Sequence, residues 1–193
     1  MELEFVGGQH STWLVGGTDE NKKHFGVVQV WDFLHSEILH IFHDSESYVS
    51  SLKVSKDGNL LVSADRKCRL HDLTSMETVC TYETLLRGNQ DVNSVLFSPC
   101  GNYITCSCED NCTLIFDLRM EKLLHILNHD RPNTRDPDNP QGVSTAQWLE
   151  NSSMLISGGE DGAVRLWDIS LAQPLVHVYA VIFLISPNWV LYL

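Results

Sequence analysis

Nine histidines, six cysteines and twenty-five carboxylates are the side chains of this 193-residue chain that carry metal, nucleophilic or acid-base chemistry. The tightest thiol cluster is Cys106, Cys108 and Cys112. It contains no Cys-x-x-Cys pair, the spacing on which structural zinc sites generally depend. Alternation places Cys106 and Cys108 in or beside one strand and Cys112 on the next, where small thiols are ordinary core residues. Neither a metal nor a disulfide is therefore expected. The histidines are scattered from His10 to His177, with no Gly-x-Ser-x-Gly elbow and no phosphate-cradling glycine loop beside them. Gly7-Gly8 and Gly16-Gly17 flank strands and read as bends. No catalytic residue and no cofactor can be named, and an enzyme is not expected.

Binding chemistry has better candidates. The connection from His129 to Gly142 carries Arg131, Arg135, Asp136 and Asp138 among three prolines and many Asx residues. That composition excludes a strand or helix, and loops of this kind on a rigid scaffold often hold recognition residues.

The elements that position these residues are repeated. Four strand-like runs end in a ring followed by aspartate: Trp31-Asp32, His71-Asp72, Phe116-Asp117 and Trp167-Asp168. The aspartates are 40, 45 and 51 residues apart, a period that marks stacked or radial arrays. The residue before each ring is apolar (Val30, Leu70, Ile115, Leu166), and two positions further back stand Val28, Cys68, Thr113 and Val164. This period of two buries one face of a pleated strand and wets the other, which puts Lys67, Arg69 and Arg165 on the wet side. Hairpin signals precede each run: Asp57-Gly58, Ser98-Pro99-Cys100-Gly101-Asn102 and Glu150-Asn151-Ser152-Ser153. Asp65, Asp110 and Asp161 sit seven positions before the terminal aspartates, in the turn joining two strands, with Asp19 in the corresponding place of the first copy. A carboxylate there accepts amide protons of its own turn.

These residues resemble the WD-repeat family of β-propellers, and Leu155 to Asp168 is the nearest copy. The resemblance implies an all-β fold, a partial propeller of about four four-stranded antiparallel blades over residues 1–180. Residues 181–193 form an apolar tail, either the start of a further blade or a truncated end. It also implies a buried hydrogen-bonded set of histidine, serine or threonine, turn aspartate and tryptophan. Copy four can complete that set with His129, Ser157, Asp161 and Trp167. Copy two has His71 for the tryptophan, with His43 as a possible imidazole, and copy three has Phe116 and Cys106; both are expected to be less tightly held. Family members bind other proteins in multi-subunit complexes, commonly as seven-bladed rings, so missing sequence or another chain is expected to complete this one. Phe116-Asp117-Leu118-Arg119 is also similar to the box by which some WD-repeat proteins dock the adaptor of cullin-four ubiquitin ligases, which makes Arg119 the contact residue.

Thirteen Lys plus Arg against twenty-five Asp plus Glu give a net charge of −12, which repels phosphate backbones, so direct nucleic-acid binding is not expected. Arg66, Lys67 and Arg69 form the only compact basic group and read as a solvated strand face. After Asp168 no charged residue occurs, but Ser186-Pro187-Asn188 interrupts the apolar run short of the roughly 20 residues a membrane span needs. No membrane association and no secretory signal are expected, which points to the cytoplasm or nucleus.

Overall fold

The computed structural model describes residues 2–7, 10, 12–19, 26–84, 91–129, 142–150, 152–171 and 173–180. They form sixteen strands in four antiparallel sheets of four. Blade 1 contains β1 (Glu2–Phe5), β2 (Trp13–Asp19), β3 (Gly26–Asp32) and β4 (Glu37–Phe42). Blade 2 contains β5 (Ser51–Val54), β6 (Leu60–Ala64), β7 (Cys68–Asp72) and β8 (Glu77–Tyr82). Blade 3 contains β9 (Val92–Phe97), β10 (Tyr103–Cys108), β11 (Cys112–Asp117) and β12 (Lys122–Asn128). Blade 4 contains β13 (Val143–Trp148), β14 (Met154–Gly159), β15 (Ala163–Asp168) and β16 (Leu175–Ala180). No helix among the described residues is long and apolar enough to cross a membrane.

Within each blade the strands follow chain order, and each ring-Asp pair ends the third strand. The first strands β1, β5, β9 and β13 lie beside one another in that sequence, so the blades are arranged around a common axis. Gly58 (φ 79°) and Gly101 (φ 71°) occupy the left-handed positions of the hairpins between first and second strands, the conformation for which glycine was expected there.

Blades pack flank against flank. Val15, Val28 and Val30 of blade 1 meet Leu52 and Leu61 of blade 2. Val62 and Leu70 of blade 2 meet Val95, Ile104 and Leu114 of blade 3. Ile115 and Leu127 of blade 3 meet Trp148, Leu155 and Trp167 of blade 4. Each fully buried leucine among these contributes roughly 1.5–3 kcal/mol relative to exposure.

This stacking corrects two expectations. Arg69 and Arg165 are not on a wet face; each is only 3% exposed. Alternation tells which residues share a face but not which face a neighbour covers: Arg69 shares with His71 the flank facing blade 1, and Arg165 shares with Trp167 the flank packed on blade 3. The second correction concerns thiols. Cys68 at the edge of β7 and Cys106 in β10 face each other across the junction between blades 2 and 3, with Cα atoms 7.3 Å apart. Spacing along the chain carries no information about which side chains face each other across blades. Cys108 and Cys112 are buried thiols, and among the described residues no group of three or more His, Cys, Asp or Glu could hold a metal.

The apolar stretch beginning at Val178 enters the fold through β16, which pairs with β15 and completes blade 4. The rest of it, residues 181–193, lies outside the described residues.

Candidate interaction faces

In blade 4 the structure brings together all four residues of the expected polar set and adds Arg165. The indole Nε1 of Trp167 donates to Ser157 Oγ (2.7 Å), which also meets His129 Nε2 (2.7 Å). Arg165 donates to His129 Nδ1 (3.0 Å), to the His129 carbonyl (2.7 Å) and to Asp161 Oδ2 (2.6 Å). A guanidinium is donor only, so His129 Nδ1 accepts, the imidazole is neutral and its proton sits on Nε2, pointing at Ser157. Burial holds the His129 pKa down to about 4, with the Arg165 charge acting in the same direction. Burial pushes the Asp161 carboxyl up, but Arg165 and the Ala163 amide (3.0 Å) outweigh it and the net shift is downward.

Blade 2 builds a substitute set. His71, fully buried in the tryptophan position, meets Ser63 Oγ through Nε2 (2.8 Å) and Thr78 Oγ1 through Nδ1 (2.9 Å). Thr78 spends its hydroxyl proton on Asp44 Oδ2 (2.7 Å), so His71 Nδ1–H donates to Thr78 and Ser63 donates to Nε2. The tautomer is the reverse of that of His129. Burial again lowers the imidazole pKa to about 4, against the opposing pull of Asp44. His43 is exposed and does not supply the imidazole that copy two lacks. Asp65 is fully buried and accepts from Arg69 (2.6 Å), from Lys67 N in its own turn (2.9 Å), and from Glu46 N (2.6 Å) and Ser47 N (3.2 Å) on the incoming connection. Asp110 is half-buried in the equivalent turn of blade 3, where Phe116 packs on Tyr82 with ring centroids 4.8 Å apart.

The four terminal aspartates share a role that the sequence reading did not assign. Each carboxylate caps the turn that follows it. Asp32 accepts from Leu34 N (2.9 Å), Asp72 from Thr74 N (2.7 Å), Asp117 from Arg119 N (2.8 Å) and Met120 N (3.0 Å), and Asp168 from Ser170 N (3.0 Å). Asp-x-Thr at 72–74 and Asp-x-Ser at 168–170 were the available signals for these Asx turns. Trp31 is half-buried on the flank of blade 1.

Two faces result. On one, each turn after a third strand docks on its blade's first hairpin, as in Leu73 N to the Asn59 carbonyl (2.8 Å) and Leu118 N to the Asn102 carbonyl (2.9 Å). Arg119 is exposed there beside Met120, while Phe116 is buried and Asp117 is half-buried. The opposite face carries the Asp65 and Asp161 turns and the connections between blades. His129 and Gly142, which flank the long connection, emerge on that side, with His129 N bonded to the Asn111 carbonyl (2.8 Å) and Glu160 N to the Gly142 carbonyl (2.9 Å). Arg131, Arg135, Asp136 and Asp138 themselves lie outside the described residues.

The repeated blades, their capped turns and the buried polar sets are matched by a family model, the WD domain, G-beta repeat, at residues 36–72, 79–117 and 134–168. The chain belongs to the WD-repeat family. The three matched intervals end at the terminal aspartates of blades 2 to 4; the first begins just before β4 and the second within β8, so these two sequence repeats are offset from the structural blades by one strand, while the third begins at residue 134, after β12. Small ribosomal subunit protein RACK1 of Drosophila melanogaster is 30% identical over 152 residues, 76% of this chain and 45% of that relative. Rik1-associated factor 1 of Schizosaccharomyces pombe is 32% identical over 113 residues, 54% of this chain and 17% of the relative. A solved Dos1 propeller superposes with a TM-score of 0.74 at 22% identity, covering 91% of this chain and 44% of the other, a likeness of fold. The chain spans less than half the length of these RACK1 and Dos1 matches.

Proposed function

We propose that this WD-repeat chain is a non-enzymatic scaffold, working in the cytoplasm or nucleus, that presents its turn-bearing face to other proteins of a multi-subunit complex. The observation that carries the reading is the turn after β11. Asp117 pins the amides of Arg119 and Met120, leaving a guanidinium and a 61%-exposed thioether side by side on a backbone fixed at both ends. A rigid arginine flanked by an apolar side chain is the kind of anchor around which protein interfaces concentrate their energy. Similarity to RACK1, a ribosomal subunit protein by its name, supports assembly with other macromolecules as the general mode. The net charge of −12 favours partners that are not nucleic acid.

Affinity purification of the tagged chain tests this. Arg119→Ala and Met120→Asp should each deplete the recovered proteins at least tenfold while circular dichroism is unchanged. Recovery unaffected by both would exclude this face. A second reading follows from the same exposed guanidinium: the chain is a substrate receptor that docks the adaptor of a cullin-four-type ubiquitin ligase through Arg119. Direct binding of that adaptor, lost in Arg119→Ala, is its expected outcome; binding retained by the variant contradicts it. The long connection with Arg131, Arg135, Asp136 and Asp138 is proposed as a separate recognition segment.

A further inference from the structure

The fourth strand of a blade has no strand beyond it, so alternate backbone N–H and C=O groups along its outer edge can pair with another chain. The fourth strands of blades 1 to 3 guard that edge unequally. β4 begins with Glu37 and exposes one large apolar side chain, Ile38 (54%). β8 begins with Glu77, carries Thr78 and Thr81, and exposes only Val79 (55%). β12 begins with a cation, Lys122, holds no carboxylate and no proline, and exposes two, Leu124 (43%) and Ile126 (47%). These two alternate with the less exposed Leu123, His125 and Leu127. His125 Nε2 donates to the Ile169 carbonyl of blade 4 (2.9 Å) and Leu127 is buried in the same junction. The strand is thus held from its inner side while its outer edge stays open.

Charge singles out the same stretch. Among the described residues Lys53, Arg66, Lys67, Arg69 and Arg165 all lie in ion pairs. Arg119 and Lys122, three positions apart where the turn enters β12, are exposed and in none, and Glu121 between them pairs with neither. Two unpaired cations at the mouth of an apolar edge, on a chain of net charge −12, are complementary to a carboxylate that this chain does not supply.

We propose that β12 is extended by a strand of a partner protein. The strand is a segment of about five residues whose alternate apolar side chains pack on Leu124 and Ile126, followed by an Asp or Glu that meets Lys122 and Arg119. Antiparallel pairing continues the pattern of the sheet and places the C-terminal end of the segment, with its carboxylate, beside Lys122. Main-chain hydrogen bonds supply affinity, while the two apolar positions and the cations select the sequence. Because blade 4 already holds β12, only the incoming segment must be ordered on binding. This mode of docking rests on the Arg119 turn being a contact, and adds the strand that follows it.

Panning a phage-displayed library of random peptides against the 193-residue chain tests strand addition. Recovered peptides are expected to share alternating apolar residues followed by Asp or Glu, and to bind at least tenfold more weakly to Ile126→Ser and to Lys122→Glu. Replacing the peptide carboxylate by lysine should restore binding to Lys122→Glu. N-methylation of one alternate set of peptide amides should abolish binding, and methylation of the other set should not. Bound peptide should slow amide exchange in β12 at least tenfold and leave β8 unchanged. Recovery of no peptide, a motif without alternation or carboxylate, or indifference to N-methylation would overturn strand addition. Protection confined to residues 117–121, with binding lost in Arg119→Ala, would also overturn it while leaving the turn contact standing.

Discussion

At Arg165 a guanidinium with 3% exposure lies between a neutral imidazole and a carboxylate, and that placement decides the protonation of the whole blade-4 set. His129 keeps a folded-state pKa of about 4, below the value near 6.5 of an unfolded histidine. As pH falls, the unfolded chain therefore takes up the proton first. The stability associated with neutral His129 is complete above about pH 6.5 and is lost progressively down to about pH 4, to a total of about 3 kcal/mol. Urea midpoints at pH 7.5 and 5.0 should show about 2 kcal/mol of this loss, and His129→Gln should reduce the dependence, leaving the share of His71, whose pKa is likewise about 4; an equal slope in the variant would contradict it. His129, Ser157, Asp161 and Trp167 were legible from the repeat pattern. Arg165 was not, because a period of two shows that it shares a face with Trp167 but not that this is the face blade 3 covers. His71 was legible as an occupant of the tryptophan position, but its partner Thr78 lies on the next strand, where no motif announces it.

The four turns after the third strands are the elements that recur most faithfully. A register shift falls at the ring residue in every blade: Val30/Trp31, Leu70/His71, Ile115/Phe116 and Leu166/Trp167. Four positions after the aspartate, Ser36, Met76 and Glu121 adopt φ of 56°, 57° and 51°. The bulge and the left-handed residue together swing the chain back into the fourth strand. A non-glycine residue there costs about 1–2 kcal/mol, and glycine adds roughly 0.5–1 kcal/mol of unfolded-state entropy. Glu121 is exposed, so Glu121→Gly should raise stability by about 0.5–1 kcal/mol in denaturant titration; a loss of stability would refute this reading of the turn. The hairpins at Asp57-Gly58 and Gly101 were readable because glycine advertises its φ. These turns were not, since serine, methionine and glutamate carry no such signal and only the aspartate capping them is visible in the sequence.

For the whole molecule, four blades around an axis were legible from the spacing of four aspartates, because each repeat must bury apolar positions against the next. What spacing could not show is which residues meet across a junction. The facing Cys68 and Cys106, the Trp148 indole donating to Thr105 of the neighbouring blade (2.9 Å) and the contact of Asn93 with the Val143 carbonyl (3.0 Å) all cross such junctions. Blades stacked in this way have second and third strands bonded on both edges and covered on both flanks, while the fourth strands keep one open edge and expose Ile38, Val79, Leu124 and Ile126. Amide hydrogen exchange measures that difference directly. Slowest exchange is expected in β6, β7, β10 and β11, with β4, β8, β12 and β16 exchanging at least tenfold faster. Equal protection across all four strands of a blade, or faster exchange in β7 and β11 than in β8 and β12, would contradict a ring of stacked blades.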